Sequence, residues 1–273
     1  MNRIWDLEAI AREVKAAQDL CRQIEPLTAR LSGFDSSAAY EVARLVHEAR
    51  VRDGASPVGR KIGFTNRDMW REYGVHEPIW AFVYDTTVLH LPASGGTCRL
   101  GRFTEPRIEP EIVLHFRSTP PVSEDPSDLL ACIDWIAHGI EIVQSHYPGW
   151  KFRAADTIAD WALHGTLLVG EPQSVAHLGP DLASRLERFT ISLSCNDQLR
   201  DTGRGSNVLG GPLSAAARLI AVLAKEPLAN AVQGGELVTT GTLTRALPIR
   251  AGETWSTGIE GIALPGISVV FEV

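Results

Sequence analysis

Three glutamates and a lysine, all in short β-like stretches, carry the chemistry legible in this chain. In the run E-P-R-I-E-P-E-I-V-L-H, residues 105–115, Glu109 and Glu111 stand two apart, so a strand period of two sends both carboxylates out of one face. The same alternation puts Glu105 and Arg107 on that face and points Ile108, Pro110 and Ile112 the other way. Such a pair reads either as a wet strand face or as the beginning of a site for a hard cation. Pro110 has no amide hydrogen to give a neighbouring strand, which places the pair at a sheet edge or a bulge. Glu141 lies between Ile140 and Ile142 in G-I-E-I-V-Q-S-H-Y, where an acid is costly unless a cation meets it. Together the three carboxylates make an all-oxygen set that suits Mg2+ or Mn2+. Zinc fits less well, because the imidazoles and thiols it favours lack metal-like spacing.

Lys61 sits in G-R-K-I-G-F-T-N beside Ile62, where partial burial obliges it to find an anion or lose its proton. The charged form binds a carboxylate or enolate and the neutral form is a base; the alternative is a lysine whose stem lies on a strand edge with its head in water. In G-W-K-F-R-A-A-D-T-I-A-D, Lys151 is a candidate substrate contact, and Asp156 is read as a helix cap. Residues 239–242, T-T-G-T, offer Thr240 and Thr242 around Gly241, either as a carboxylate cradle or as an ordinary turn after a strand. His76-Glu77 is an acid–base pair by type, but the simpler reading is a turn with a solvated glutamate. No glycine-rich stretch follows a strand in the dinucleotide or P-loop pattern, and no nucleophile elbow is present.

The elements that must position these groups follow from periodicity. Residues 3–31 carry one apolar stripe at helical spacing, Leu7, Ile10, Val14, Ala17, Cys21, Ile24 and Leu27, and a second helix is predicted from a Ser37 cap. From Gly54 onward short β-like runs dominate. Helices are predicted from Pro126 through L-L-A-C-I-D-W-I-A-H, from about Asp156, and from Pro212 through L-S-A-A-A-R-L-I-A-V-L-A-K, with Pro227 beyond its end. Asn196-Asp197 suits a hairpin turn. Strands outnumber helices without regular alternation, which favours a mixed α+β fold over a doubly wound parallel sheet. The expected organisation is a helical segment over residues 1–55 packed on a catalytic unit over 56–273, with no linker long enough to separate two independent domains.

At 273 residues, 44% hydrophobic and 22% charged, the chain can bury a substantial core. A formal charge of -7 without a long basic run argues against nucleic acid or an anionic membrane surface as partner, and no apolar stretch reaches membrane-spanning length. The first residues mix charge signs where a signal peptide would be apolar, so a cytoplasmic protein is expected. Four scattered cysteines without C-x-x-C spacing read as reduced thiols.

Taken in order, G-R-K-I-G-F-T, G-V-H-E-P-I-W-A-F-V-Y-D, the 105–116 stretch, residues 139–160, T-T-G-T-L-T and a terminal I-S-V-V-F resemble the 2-keto-4-pentenoate hydratase and 4-oxalocrotonate decarboxylase family, from about Ala38 to the C-terminus. That resemblance implies a fumarylacetoacetate hydrolase-like fold and a divalent metal, usually Mg2+, on Glu109, Glu111 and Glu141. It also implies a catalytic role for Lys61 and assembly into homo-oligomers. The expected activity is hydration of a 2-hydroxy-2,4-dienoate from aromatic-compound breakdown, with Arg107 available for a second carboxylate if the substrate has one. The alternative is a 4-oxalocrotonate-type decarboxylation at the same site. A C–C bond hydrolase is disfavoured for want of a His-Glu dyad on a helix, and a non-catalytic metal-binding relative stands as the other alternative. Two departures from the family pattern bear on the pocket: Trp161, Leu163 and His164 stand where small polar residues are usual, and Gln144 where an aspartate is frequent.

Overall fold

The structure, a computed structural model, describes residues 5–66, 70, 75, 77–93, 95–225 and 230–273; His76 and Pro227 lie outside the described residues. Helix α1 (Leu7–Asp19) begins where the Asp6 carboxylate accepts the Ala9 N–H at 2.9 Å, and it buries Ile10, Val14 and Ala17. The apolar stripe does not continue as one helix to residue 31. Cys21 takes a positive φ of 49°, the Ile24 N–H is spent on the His146 carbonyl, and Pro26 precedes a single turn, α2 (Leu27–Arg30). Helix α3 (Ser36–Arg52) is capped by Asp35, whose carboxylate accepts the Ala38 N–H, and not by Ser37.

The larger sheet contains β1 (Pro57–Gly63), β2 (Ile79–Tyr84), β3 (Val88–His90), β5 (Arg107–Phe116), β6 (Ile133–Val143), β7 (His164–Val169), the short β8 (Gln173–Ser174), β11 (Leu237–Thr239) and β12 (Leu247–Pro248). Its order is β2-β1-β11-β5-β6-β7-β3, with β12 on β5 and β8 on β6. The two outermost strands, β2 and β3, are joined by only the 3-10 turn Asp85–Thr87, so the sheet must curl until its ends nearly meet. Val83, Val113, Ala137, Leu167, Val169 and Leu237 fill the concave face. The smaller sheet has the order β10-β9-β13-β14-β4, from β4 (Gly96–Arg99), β9 (Thr190–Cys195), β10 (Gln198–Arg204), β13 (Thr254–Glu260) and β14 (Ser268–Glu272). Asn196 and Asp197, both at positive φ, turn β9 into β10 as a two-residue hairpin requires.

One prediction fails here with consequences for the site. Only Pro126–Leu130 is helical (α4); Ile133 to Val143 is the long strand β6, paired with β5 along its length. Leu129, Ile133 and Ile136 satisfy helical spacing by accident, and ten cross-strand residue pairs outweigh it. The β-like reading of L-V-T-T-G-T-L-T, residues 237–244, likewise holds only for strand β11, Leu237–Thr239.

The convex face of the large sheet packs Ile112, Leu114, Phe116 and Val238 on Leu213, Ala216, Leu219 and Ile220 of α8 (Pro212–Leu223), with α6 (Val175–Leu178) and α7 (Leu182–Arg188) completing that core. Farther along the same face, Ile108, Ile140 and Ile142 meet Leu193, Trp255 and Phe271 of the small sheet. The N-terminal helices share a third core with Ile79, Ala81 and α5 (Ala154–Ala159). Gly205–Leu223 has the length and apolar composition of a membrane span, contrary to the expectation from sequence, but its α-helix covers only Pro212–Leu223 and packs one face into the interior.

Candidate active site

Register alone brings the three glutamates and the lysine together. Glu109 lies directly opposite Glu141 across β5 and β6, with Glu111 one pleat along on the same face. Lys61 pairs with Thr239, and Thr239 with Val113, which shares the parity of Glu109 and Glu111; all four charged groups thus leave the concave face. One oxygen from each glutamate lies within 4.8 Å of the others. Lys61 Nζ donates to Glu141 Oε1 at 3.1 Å and to the Ala162 carbonyl at 2.9 Å.

Strand β5 is central, between β11 and β6, so Pro110 is not at a sheet edge as expected. It sits where β11 has ended and β12 has not begun. There the loop after β11 takes over, with Thr240 N–H on the Ile112 carbonyl and Leu243 N–H on that of Pro110. The missing amide hydrogen thus falls in a gap of the ladder, and the gap lets the loop turn inward. Gly241 makes that turn with φ +94°; a Cβ there would stand 2.0 Å from Thr65 Oγ1. Its N–H donates to Glu111 Oε2 at 2.8 Å.

Two buried carboxylate oxygens, Glu111 Oε1 and Glu141 Oε2, have no hydrogen-bond partner. Such atoms are costly unless something occupies the space between them. Three carboxylates against one ammonium also leave two negative charges, which a divalent cation cancels. Burial pushes Glu109 up to about 7 against the pull of Lys61, and it drives Glu111 well above the carboxylate range with the charges of Glu141 and Glu109 adding to the effect. Burial would raise Glu141 too, but Lys61 and His164 outweigh it and hold the group down at about 2. Lys61 is raised: burial works against its charge, and the charges of Glu141, Glu109 and Glu111 more than compensate. The Glu141 carboxylate at 3.1 Å favours the charged form of Lys61.

A cavity of about 110 Å³ opens over the group, lined by the polar Lys61, Glu109 and Thr242 with Gly241 and by the apolar Ile79, Val143, Phe152 and Leu163. Arg107 lines it as well, its guanidinium 3.9 Å above the Trp150 ring. Lys151 is exposed and takes no part in the lining, because the 3-10 turn Pro148–Trp150 directs Trp150 inward instead. Thr240 is fully buried and spends both its amide and its hydroxyl on the Ile112 carbonyl, whereas the Thr242 hydroxyl donates to the Thr244 carbonyl. The expected cradle at T-T-G-T thus serves a protein carboxylate through Gly241. Glu105 precedes β5 at a φ of 48° and accepts from Gln23 and the Gly149 N–H, outside the acidic group. Glu77 is exposed. Asp156 is not the N-cap expected of it: the helix begins at Ala154, and Asp156, its third residue, reaches back to accept the Arg153 N–H at 2.8 Å while also holding the Thr28 N–H and hydroxyl.

His164 is the contributor that its residue type concealed. It opens β7, buried, with Nδ1 2.6 Å from Glu141 Oε1 and Nε2 2.9 Å from Thr87 Oγ1. Its signal in the sequence is a polar ring at the head of the apolar run H-G-T-L-L-V, directly after the departure W-A-L.

A curled mixed sheet carrying an acidic triad and a buried lysine on its concave face defines a fumarylacetoacetate hydrolase-like α+β protein. A fumarylpyruvate hydrolase from Pseudomonas aeruginosa, crystallised with Mn2+ and pyruvate, shares that fold at a TM-score of 0.57 and 14% identity, covering 79% of this chain and 89% of that one. No protein-family profile matches the chain. The 2-keto-4-pentenoate hydratase 2 of Dechloromonas aromatica (strain RCB) is 30% identical over 271 residues, 99% of each chain. The 4-oxalocrotonate decarboxylase from Pseudomonas putida G7, solved with magnesium and adipate, superposes at a TM-score of 0.89 with 25% identity over 99% of this chain and all of that one. The chain belongs to the 2-keto-4-pentenoate hydratase and 4-oxalocrotonate decarboxylase family, and it is an enzyme.

Proposed function

We propose that the protein is a Mg2+-dependent hydratase that adds water to a 2-hydroxy-2,4-dienoate of the kind released in aromatic-compound breakdown. The observation that carries this reading is the acidic triad with its two orphaned oxygens beside the buried Lys61 ammonium. Glu109, Glu111 and Glu141 would hold Mg2+, with Mn2+ able to replace it. Bound there, the cation supplies Lewis acidity toward the C2 oxygen and an anchor for the C1 carboxylate.

The remaining work falls to the chain. Lys61 has three N–H bonds, of which two are committed to Glu141 and Ala162; the third serves a substrate oxygen and holds the C2 oxygen as negative charge develops on it. Loss of the C2 hydroxyl proton with gain of a solvent proton at C5 gives the 2-oxo-3-enoate; water then adds at C4, the electron pair of the C3–C4 double bond passes toward the C2 oxygen, and the proton that the added water gives up is balanced by one gained at C3. Ile79, Val143, Phe152 and Leu163 give the cavity an apolar lining that suits an alkyl tail.

Arg107 favours the second reading, decarboxylation of a vinylogous 2-oxo diacid, since its guanidinium lines the same cavity and could hold a distal carboxylate. Purified protein with Mg2+ is to be given each substrate class, with product identified by NMR and CO2 measured. Hydrated product without CO2 is expected; CO2 without water addition would overturn the hydratase in favour of the decarboxylase. The hydrolase reading gains nothing from the buried His146–Asp160 pair. That pair faces Gln18 of α1 and does not line the cavity.

The same proposal includes a helical segment over 1–55 serving a catalytic unit over 56–273, and self-association into a homo-oligomer, to be read by sedimentation velocity.

A further inference from the structure

Glu141 is held from two sides at one oxygen and from none at the other. Oε1 accepts from Lys61 at 3.1 Å and from His164 Nδ1 at 2.6 Å, while Oε2 is buried with no partner. A carboxylate only accepts, so Nδ1 carries the hydrogen and Nε2 meets the Thr87 hydroxyl at 2.9 Å. Thr87 belongs to the turn Asp85–Thr87 that joins the two end strands of the curled sheet, and its carbonyl accepts the Thr166 hydroxyl from β7. His164 therefore bridges the closing turn of the sheet to a ligand carboxylate. Trp161, Ala162 and Leu163, all at positive φ, deliver the imidazole to that place and set the Ala162 carbonyl on Lys61 in the same turn.

We propose that His164 is a positioning residue: braced by Thr87, it fixes Glu141 so that Oε2, and not Oε1, is presented to the divalent cation. The inference rests on the metal-site reading above. It goes beyond that reading by assigning a task to a residue that stands where the family pattern has a small polar one. With a small side chain at 164, Oε1 would keep only the flexible lysine, and the carboxylate could turn about its last bond. The imidazole removes that freedom, and hydrogen-bond partners of ligating groups are typically worth about ten- to hundredfold in metal affinity.

The test is equilibrium binding of Mn2+ alone to the purified full-length protein, read by the EPR signal of the free ion, with folding followed by circular dichroism. Wild type should bind one Mn2+ in the triad and Glu109→Gln should lose it; retention of full affinity in Glu109→Gln would overturn the triad itself. With the triad established, His164→Ala should weaken binding by about ten- to hundredfold. His164→Asn, whose amide N–H can still reach Glu141, should return to within about threefold of wild type, a recovery that a merely space-filling role does not give. Unchanged affinity in the alanine variant, or equal losses in both variants, would overturn the role of His164 and leave the triad standing. Should the alanine variant not fold, Thr87→Val carries the comparison: several-fold weaker Mn2+ binding is expected, and no change overturns the brace.

Discussion

Burial and mutual repulsion oppose full ionisation of Glu109 and Glu111 beside Glu141 and one lysine, and that sets the direction in which the site responds to pH. A carboxylate raised by burial binds more protons in the folded than in the unfolded protein. Without a cation its ionisation therefore costs stability progressively from about 4.5 upward through its folded value, which for Glu109 is about 7. A divalent cation must displace those protons, so it binds more weakly below pH 7. The gain in unfolding temperature on adding Mg2+ should accordingly be larger at pH 8 than at pH 6, as differential scanning fluorimetry will read. A gain that is constant or reversed would remove the raised glutamates from the binding site. Glu141→Gln and Glu109→Gln should each lower kcat/KM by about a hundredfold or more, roughly 2.7 kcal/mol of transition-state stabilisation, with the fold intact by circular dichroism. Unchanged turnover would place the chemistry elsewhere.

At the scale of elements, strand register gathers the four charged groups and two irregular segments hold them in place. The turn Trp161–Leu163 keeps three successive non-glycine residues at positive φ, each a strain on the order of 1–2 kcal/mol. Its bonds to Lys61, to the Gln144 N–H and to Asp160 maintain it. The loop after β11 depends on Gly241, which has the left-handed backbone, no room for a Cβ beside Thr65, and an N–H on Glu111. Gly241→Ala should therefore destabilise the protein by about 1–3 kcal/mol and weaken Mg2+ binding in the same variant, by denaturant titration and calorimetry. A variant with wild-type metal affinity would show that the Gly241 N–H does not position Glu111.

For the whole molecule, the N-terminal helices are structural parts of the site wall. They share a core with Ile79, Ala81, Ala155 and Ala162, and Thr28 of α2 gives Asp156 two hydrogen bonds at 2.8 and 2.7 Å. Asp156→Ala leaves three buried or half-buried donors unmet and should cost about 2–4 kcal/mol, read as a fall of several degrees in unfolding temperature. A neutral effect would mean that the helical layer is only loosely attached.

Local pattern was sufficient for the carboxylates. The alternation in R-I-E-P-E-I and the isolated acid in G-I-E-I put Glu109, Glu111 and Glu141 on strands, and the ordered motifs indicated the family and its α+β fold. Lys61 was legible as a group in need of an anion, but its anion was not. Local pattern failed where long-range pairing competes with it: C-I-D-W-I-A-H fits a helix as well as a strand, and only the β5 partner decides for the strand. Nor could spacing foretell that Lys151 faces solvent, that Thr240 is spent on the main chain, or that Glu105 turns away from the triad. Single residues state what they require, a cation for a buried acid or a partner for a buried imidazole. Which residue answers depends on strand register and on the closing of the sheet, contacts between segments as far apart as Thr87 and His164, and those only the tertiary structure decides.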